Sequence, residues 1–245
     1  MFTNNMSLPK MPWKVYWINL ERRKDRYEHM KVFLKNTENE RISAIDGKNN
    51  YSGYKIIEYS SMGKSEHGCT ASHIKAMNYY LNNSSDKFCF IAEDDCYADY
   101  CPYWQKKHMD ILVDESIEIL QMSTTVGVFN DANLEPQIKE TNVVYPGTAF
   151  YLIRRDIAKK IVDKFMNKDG VIDLSNERDS CLADILIWRM GLTKLLPMIC
   201  LSTIEENPSD VSRFYNKSKN NHWKNIYYGA REKYLNYWKN LKISN

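Results

Sequence analysis

Three consecutive acidic residues, Glu93, Asp94 and Asp95, follow a short apolar segment at residues 88–92. If that segment is a strand, its alternation places the Glu93 and Asp95 side chains on one face and Asp94 on the other. Two carboxylates on one face repel each other unless a cation lies between them, and their oxygens suit Mg²⁺ or Mn²⁺. Such an ion often completes its shell with phosphate oxygens, so the pattern favours a site for a nucleoside diphosphate or a relative. The alternative is a solvated acidic turn.

A basic turn follows another apolar segment, at residues 14–20. Arg22, Arg23 and Arg26 lie where the first backbone N–H groups of a helix would also be free to bind an anion. Arginine suits bidentate contact with phosphate. The segment contains neither a dinucleotide-binding fingerprint nor a P-loop. The arginines are therefore candidates for phosphate binding, and an ordinary charged first turn of a helix is the alternative.

Residues 66–75 contain two histidines, a serine and a lysine. Ser72 and His73 are adjacent, so on a helix they do not face each other and cannot form a nucleophile–base pair. His67 and His73 lie on different helix faces, which argues against a metal ion shared by the two. We expect His73 or Lys75 to donate to a phosphate or a sugar hydroxyl, and a structural role for His73 is the alternative.

Predicted strands and helices alternate over the first two-thirds of the chain. β-Branched and aromatic residues predict strands at 14–20, 41–45, 88–92, 116–122, 148–153 and 195–201. The spacing of apolar residues predicts helices at 25–35, from an N-cap at Ser65 to about residue 81, at 156–166 and at 181–190. This order is typical of an α/β sandwich with a mostly parallel sheet, in which ligands bind beyond the carboxyl ends of the strands. Asn19, Asp46 and residues 93–95 stand at such ends.

The composition, with 43% apolar and 27% charged residues, is that of a globular protein and argues against full disorder and coiled coil. The net charge of +3 is too small to indicate nucleic acid as a partner. We predict a flexible leader at 1–12, one domain at 13–212 and a basic, aromatic-rich helical tail at 213–245. Residues 211–245 contain eight Lys or Arg and one acid, Glu232. They are candidates for contact with an anionic membrane or a polyanionic acceptor, with a solvated helix face as the alternative.

Two further patterns bear on the cellular compartment. No apolar run is long enough to span a bilayer, and the N-terminus lacks the pattern of a signal peptide. We therefore expect a cytoplasmic protein that touches a membrane only through its basic tail. The six cysteines match no zinc pattern and are interpreted as reduced, mostly buried thiols.

Several segments together resemble glycosyltransferase family 25, which includes bacterial lipooligosaccharide galactosyltransferases and collagen hydroxylysine glycosyltransferases. They occur in the family's order over residues 14–212. The matching stretches are Ile18-Asn-Leu-x-Arg-Arg-x-x-Arg26, Ala44-Ile-Asp-Gly47, Gly68-Cys-x-x-Ser-His-Ile74, Ile91-x-Glu-Asp-Asp95, Gly147-Thr-Ala-x-Tyr-Leu-Ile153 leading to Ala158, Asp184, and Ser209-Asp210.

The resemblance implies a GT-A fold, a Rossmann-like sandwich that binds a UDP-sugar with a divalent metal, Mn²⁺ or Mg²⁺. It implies that residues 93–95 fill the place of the metal-binding DxD motif, with Glu93 and Asp95 on the metal and Asp94 turned to the donor sugar. Asp184 matches an acidic position of the family and is our candidate for the general base. The remaining implied nucleotide and donor contacts are Asn19, Leu20, Arg22, Arg26, Ala44, Asp46, Ser72, His73 and Lys75.

The expected function is therefore metal-dependent, inverting transfer of a hexose, with galactose or glucose favoured, from a UDP-sugar to a glycan or a hydroxylated protein or glycoprotein. One alternative is a non-catalytic GT-A-fold module that binds a glycan or a protein, but its acidic motif should then have decayed first. The other is a metal-dependent nucleotide-sugar hydrolase, whose turnover would not respond to acceptors.

Overall fold

The computed structural model describes residues 6–58, 62–123, 139–140, 147–175, 182–201 and 232–240. The helices in this part of the chain are α1 (Lys24–Phe33), α2 (Lys64–Asn83), α3 (Lys106–Ile111), α4 (Arg155–Phe165), α5 (Ala183–Trp188) and α6 (residues 232–240). A 3-10 segment lies at Cys101–Tyr103, and Gly47–Gly53 contains 3-10 turns interrupted by a kink at residues 49–52. The strands are β1 (Val15–Asn19), β2 (Asn39–Ser43), β3 (Ile56–Ile57), β4 (Phe88–Glu93), β5 (Cys96–Tyr97), β6 (Ile119–Gln121), β7 (Lys139–Glu140), β8 (Phe150–Arg154), β9 (Ile172–Asp173), β10 (Thr193–Leu195) and β11 (Cys200–Leu201).

Seven of these strands form one central sheet with the order β2-β1-β4-β8-β6-β10-β7. Strands β2, β1, β4, β6 and β10 run in one direction, while β8 and β7 run against their neighbours. The predicted α/β architecture with a mostly parallel sheet is therefore confirmed. The carboxyl ends of β1, β2 and β4 meet at one edge, which is where the three sequence motifs were expected to converge.

Several element boundaries differ from the sequence predictions. The second strand ends at Ser43, and the Ala44 N–H makes the last bond to β1, to the Asn19 carbonyl oxygen at 2.9 Å. The predicted N-cap at Ser65 was wrong. Helix α2 begins at Lys64 after Gly63, and the Glu66 carboxylate accepts the Gly63 N–H at 2.7 Å. The strand predicted at 195–201 is divided between β10 and β11.

The sheet separates two apolar layers, because alternate residues of each strand point to opposite faces. On one face Tyr16 and Ile18 of β1 pack in a cluster with helices α2, α4 and α5. On the other face Val15 and Trp17 pack in a second cluster with α1 and α6. Both faces of β1 are buried, as expected for a central strand of an α/β sheet.

Both ends of the described chain join the second cluster. Leu8, within the predicted leader, is fully buried and donates its N–H to the Phe33 carbonyl oxygen at 2.8 Å. Trp238 of α6 is 1% exposed and donates its indole N–H to the Pro197 carbonyl oxygen at 3.1 Å. The second cluster thus includes side chains from residues 6–12 of the predicted leader and from residues 232–240 of the predicted tail. The rest of the predicted leader and tail, at residues 1–5, 213–231 and 241–245, lies outside the described residues. Among the described helices, none has the length and apolar character that crossing a bilayer demands.

Candidate active site

A pocket lies at the edge of the sheet where β1, β2 and β4 end, beside the N-terminal half of α2. The three motifs from the sequence meet there. Most of the candidate site residues line this pocket, namely Asn19, Leu20, Arg22, Arg26, Ala44, Asp46, Ser72, His73, Glu93, Asp94 and Asp95. The rule that ligands bind beyond the carboxyl ends of parallel strands therefore located the pocket.

Asp94 is fixed by partners on β1 and α1. One carboxylate oxygen accepts the Asn19 side-chain N–H at 2.7 Å, and the other accepts from Arg26 at 2.6 Å. Asp94 is 5% exposed and Arg26 is 7% exposed. Burial raises the pKa of Asp94, while Arg26 and Asn19 oppose this rise. We call these three residues the paired wall of the pocket.

Glu93 and His73 face each other across the pocket floor. Glu93 is the last residue of β4, and its Oε1 accepts from the Thr148 hydroxyl at 2.7 Å and lies 3.4 Å from His73 Nε2. Burial alone would raise the pKa of Glu93, but His73 and Thr148 reverse the effect, so its pKa lies below the usual value. His73 Nδ1 lies 3.0 Å from the Tyr151 hydroxyl oxygen, which holds the orientation of the ring.

Asp95 is held less completely than its neighbour. Its Oδ1 is buried and has no hydrogen-bond partner among the described residues, and its Oδ2 lies 3.8 Å from Arg26. Burial, together with the nearby Glu93 and Asp94 carboxylates, raises the pKa of Asp95 to about 7 although Arg26 opposes the rise. A second positive charge in the pocket would stabilise the ionised carboxylate.

The expectation that Asp94 and Asp95 alternate across the sheet does not apply, because β4 ends at Glu93 and residues 94–95 form a turn. The alternation of side chains along a strand therefore says nothing about where Asp94 and Asp95 point, since both lie beyond the end of β4. The turn brings all three acids to the pocket.

Two glycines allow α2 to pack directly on the loop after β2. A Cβ at Gly47 would lie 1.8 Å from the Lys64 carbonyl oxygen, and one at Gly68 would lie 2.6 Å from the Ile45 carbonyl oxygen. Ser72 joins the same two segments, because its hydroxyl accepts the Ile45 N–H at 2.8 Å and donates to the Gly68 carbonyl oxygen at 2.6 Å. Ser72 thus positions the pocket wall rather than presenting a free hydroxyl.

Asp46 organises the loop that follows. Its Oδ2 accepts from Arg22 Nε at 2.9 Å and its Oδ1 accepts the Lys48 N–H at 3.0 Å. The chain then turns through Asn50, Tyr51 and Ser52, each with a positive φ between 42° and 57°. Non-glycine residues with such angles occur mainly in turns and at strained sites, so the backbone of this loop has an uncommon conformation.

Three candidate residues do not line the pocket. Arg23 donates to the Asp25 carboxylate at 2.7 Å. The Lys75 ammonium donates to the Ser43 carbonyl oxygen at 2.7 Å and lies 4.5 Å from the centre of the Tyr54 ring. Asp184, in the first turn of α5, accepts the Gly147 N–H at 3.2 Å and the Ile185 N–H at 2.9 Å. Burial raises the pKa of Asp184 against these two hydrogen bonds, and the Glu93 carboxylate adds to the rise.

The sequence reasoning missed Cys69, which lines the pocket floor. Burial raises the pKa of its thiol, and the carboxylates of Glu93, Asp184 and Asp95 add to the rise. The available signal was its spacing from His73, because residues i and i+4 of a helix lie on the same face. Thr148 and Tyr151 were also missed as side chains that hold Glu93 and His73, since strand β8 approaches them from a distant part of the sequence.

The residues present fit a divalent cation. Asp95 Oδ1 is a buried oxygen without a partner among the described residues, and Glu93 places a second carboxylate on the same pocket. Oxygen ligands of this kind are those that Mg²⁺ and Mn²⁺ take in proteins. The nearby Arg22 and Arg26 supply further positive charge on the pocket wall.

Of the comparisons with known proteins, the match to a family model agrees with the motifs. None of the curated protein sequences matches the chain. Among solved structures, A197 from STIV is 11% identical, covers 84% of this chain and 99% of its own, and has a TM-score of 0.39. TarS 1-349 from S. aureus is 9% identical, covers 91% of this chain and 72% of its own, and also has a TM-score of 0.39. The model of glycosyltransferase family 25 (LPS biosynthesis protein) matches residues 13–175, which is more than half of the chain. The chain therefore belongs to glycosyltransferase family 25.

Proposed function

We propose that this glycosyltransferase transfers a hexose, with galactose or glucose favoured, from a UDP-sugar to a glycan or a hydroxylated protein, with inversion and with Mn²⁺ or Mg²⁺. The observation that carries the proposal is the buried, partner-poor Asp95 oxygen beside Glu93 in a pocket that also contains arginines. A pocket that combines buried carboxylates with arginines is suited to a metal-bound diphosphate.

The cation, when bound through Glu93 and Asp95, would supply the charge that stabilises the leaving diphosphate. Arg22 is 40% exposed at its side chain and stands at the pocket wall beside Asp46, so it is suited to a phosphate or ribose contact. The Arg26 guanidinium already donates to Asp94, so Arg26 would contribute its positive charge to the pocket without contacting the diphosphate directly. Leu20 and Ala44 provide apolar lining beside these charges, in keeping with a base or ribose face.

Inversion requires a base that takes the proton of the acceptor hydroxyl on the side opposite the leaving group. Asp184 remains our candidate. Its carboxylate is held by the Gly147 and Ile185 N–H groups, and burial raises its pKa. A raised pKa suits a carboxylate that must accept a proton. Asp94 has both oxygens engaged with Asn19 and Arg26. Its contact with a donor-sugar hydroxyl would therefore use a remaining lone pair.

The test is UDP release with Mn²⁺ across a panel of UDP-sugars, for wild type and Asp95→Ala. We expect release from one sugar that falls at least about 100-fold in Asp95→Ala and on chelation, because the metal then loses an anionic ligand. Asp163→Ala is the matched control, since Asp163 is exposed on α4 and paired with Lys159 at 2.6 Å. Full activity in Asp95→Ala would contradict the metal assignment.

Following the sugar as well as UDP separates the alternatives. A transferase moves the sugar to an added acceptor, whereas a hydrolase releases free hexose at a rate that acceptors do not change. A protein that binds UDP and Mn²⁺ without any turnover would be the non-catalytic module.

A further inference from the structure

Three potential metal ligands of different chemistry converge on the pocket floor. The ligand atoms of Cys69, His73 and Glu93 all lie within 4.8 Å of one another. Cys69 and His73 occupy positions i and i+4 of α2 and therefore lie on the same helix face. Glu93 approaches that face from the end of β4.

His73 supplies the observation that points to a ligand. It is 1% exposed, and its Nε2 has no hydrogen-bond partner among the described residues. Nε2 lies 3.4 Å from Glu93 Oε1. In a tetrahedral shell with bonds of about 2.0–2.1 Å to nitrogen and oxygen, two ligand atoms are about 3.3–3.4 Å apart. The observed separation already fits such a shell.

Outer hydrogen bonds hold both of these side chains. A proton on His73 Nδ1, donated to the Tyr151 hydroxyl oxygen at 3.0 Å, leaves the Nε2 lone pair available. The Thr148 hydroxyl donates to Glu93 at 2.7 Å. Metal-binding histidines and carboxylates almost always have such outer partners, which fix the tautomer and the orientation of the ligand.

We propose that Cys69, His73 and Glu93 form a transition-metal site that favours Zn²⁺ or Co²⁺ over Mg²⁺. A thiolate and a carboxylate together balance a divalent charge, and sulfur and imidazole ligands select borderline-soft ions over hard ones. All three residues line the pocket, so a fourth coordination position faces the space available to a substrate. Three protein ligands with one open position are typical of catalytic zinc sites.

This inference deepens the proposed function and rests on it only for the contact between the ion and the donor. The ligand set itself rests on the geometry of the pocket floor. Glu93 belongs to both ligand sets. The softer set adds Cys69 and His73 to a site otherwise made of carboxylates, and so changes which metal the pocket selects.

The experiment is a Co²⁺ titration of metal-free protein without any nucleotide, followed by the thiolate-to-cobalt charge-transfer absorption. We expect this absorption to saturate at one Co²⁺ per chain and to disappear when Zn²⁺ is added. Cys69→Ser should abolish it and lower Zn²⁺ affinity at least about tenfold, while Mn²⁺ affinity changes by less than about threefold. Cys101→Ser is the matched control, because Cys101 is another partly buried cysteine and does not line the pocket.

Tyr151→Phe adds a second variant that keeps all three ligands. It removes the outer partner of His73, so the absorption should persist at an affinity about tenfold lower. Absence of the band in wild type, or its persistence in Cys69→Ser, would overturn the inference. UDP binding measured on the same samples separates the two proposals, since a cobalt site without UDP binding would refute the donor assignment alone.

Discussion

The carboxylates of the neighbouring residues Asp94 and Asp95 differ in how completely they are hydrogen-bonded on the two sides of the pocket. On the paired wall, Asp94 has one oxygen on Asn19 and the other on Arg26, and the group is nearly closed to solvent. On the floor, Asp95 Oδ1 and His73 Nε2 are buried and have no hydrogen-bond partner within the described residues. Buried polar groups are normally satisfied, so the first arrangement is that of a scaffold and the second is that of a binding site. Burial and charge alone would not have distinguished them.

The largest effect is expected on the paired wall. Arg26→Met leaves the Asp94 carboxylate buried without its cation, and the loss of one partner of a buried pair costs about 3–5 kcal/mol. We expect the free energy of unfolding, measured by denaturant titration, to fall by that amount. Arg22→Met is the control, because the Arg22–Asp46 pair has side chains 40% and 15% exposed and should contribute less than about 1 kcal/mol. Equal losses in the two variants would show that burial does not set the Arg26–Asp94 pair apart from the more exposed Arg22–Asp46 pair.

The next effect tests whether Asp184, which belongs to neither the paired wall nor the floor, is the general base. Asp184→Asn keeps an oxygen that accepts the Gly147 N–H, so the fold and UDP binding should be preserved. Loss of a general base lowers kcat by about 100-fold or more, which corresponds to about 3 kcal/mol. Steady-state transfer kinetics and UDP affinity are the measurements. An undiminished transfer rate would exclude Asp184 as the base.

A smaller effect concerns the floor and depends on pH. The pKa of Asp95 is raised to about 7 from its usual value of 3.8, so the folded protein favours the protonated form. In metal-free protein its contribution therefore lowers the free energy of unfolding as pH rises from about 4 to about 7, and the loss is complete above pH 7. Because 26% of the side chain is exposed, we expect a loss on the order of 2 kcal/mol rather than the full shift.

Asp95→Asn isolates this contribution. In the presence of a chelator, the variant and wild type should have similar stability near pH 4, and the variant should be more stable near pH 8. Added Mn²⁺ should reduce the difference by stabilising only the wild type. A stability difference that does not change with pH would show that the pKa of Asp95 is not raised in the folded state. Asp163→Asn should show no such pH dependence, since that carboxylate is exposed.

The sequence predicted where the pocket lies better than it predicted which contacts each side chain makes. The predicted strands at 14–20 and 88–92 end within one residue of the observed ends at Asn19 and Glu93, because continuous apolar runs mark buried strands. Lys75 was misplaced because adjacent residues in a helix motif point in different directions, and its ammonium reaches Ser43 instead. Local spacing determines which residues share a helix face, and only packing determines what that face meets.

The roles of the glycines and of Ser72 could not be predicted from local spacing. They depend on the approach of α2 to the loop after β2, where a Cβ on either Gly47 or Gly68 would collide with backbone. The same limit applies to Thr148 and Tyr151, which reach the floor from β8. Such long-range contacts leave no periodic signal in a single sequence.

The packing of Leu8 and Trp238 in one cluster has a consequence for biosynthesis. Residues from nearly opposite ends of the chain complete the layer on one face of the sheet, so this layer stays open until α6 has been synthesised. Native contacts of such large sequence separation form late and slowly. A nascent or prematurely terminated chain would expose the side chains that α6 contacts, among them Tyr100 against Tyr234 and His108 against Trp238. Synthesis of α6 is thus required before this part of the layer is complete and is protected from chaperones and proteases.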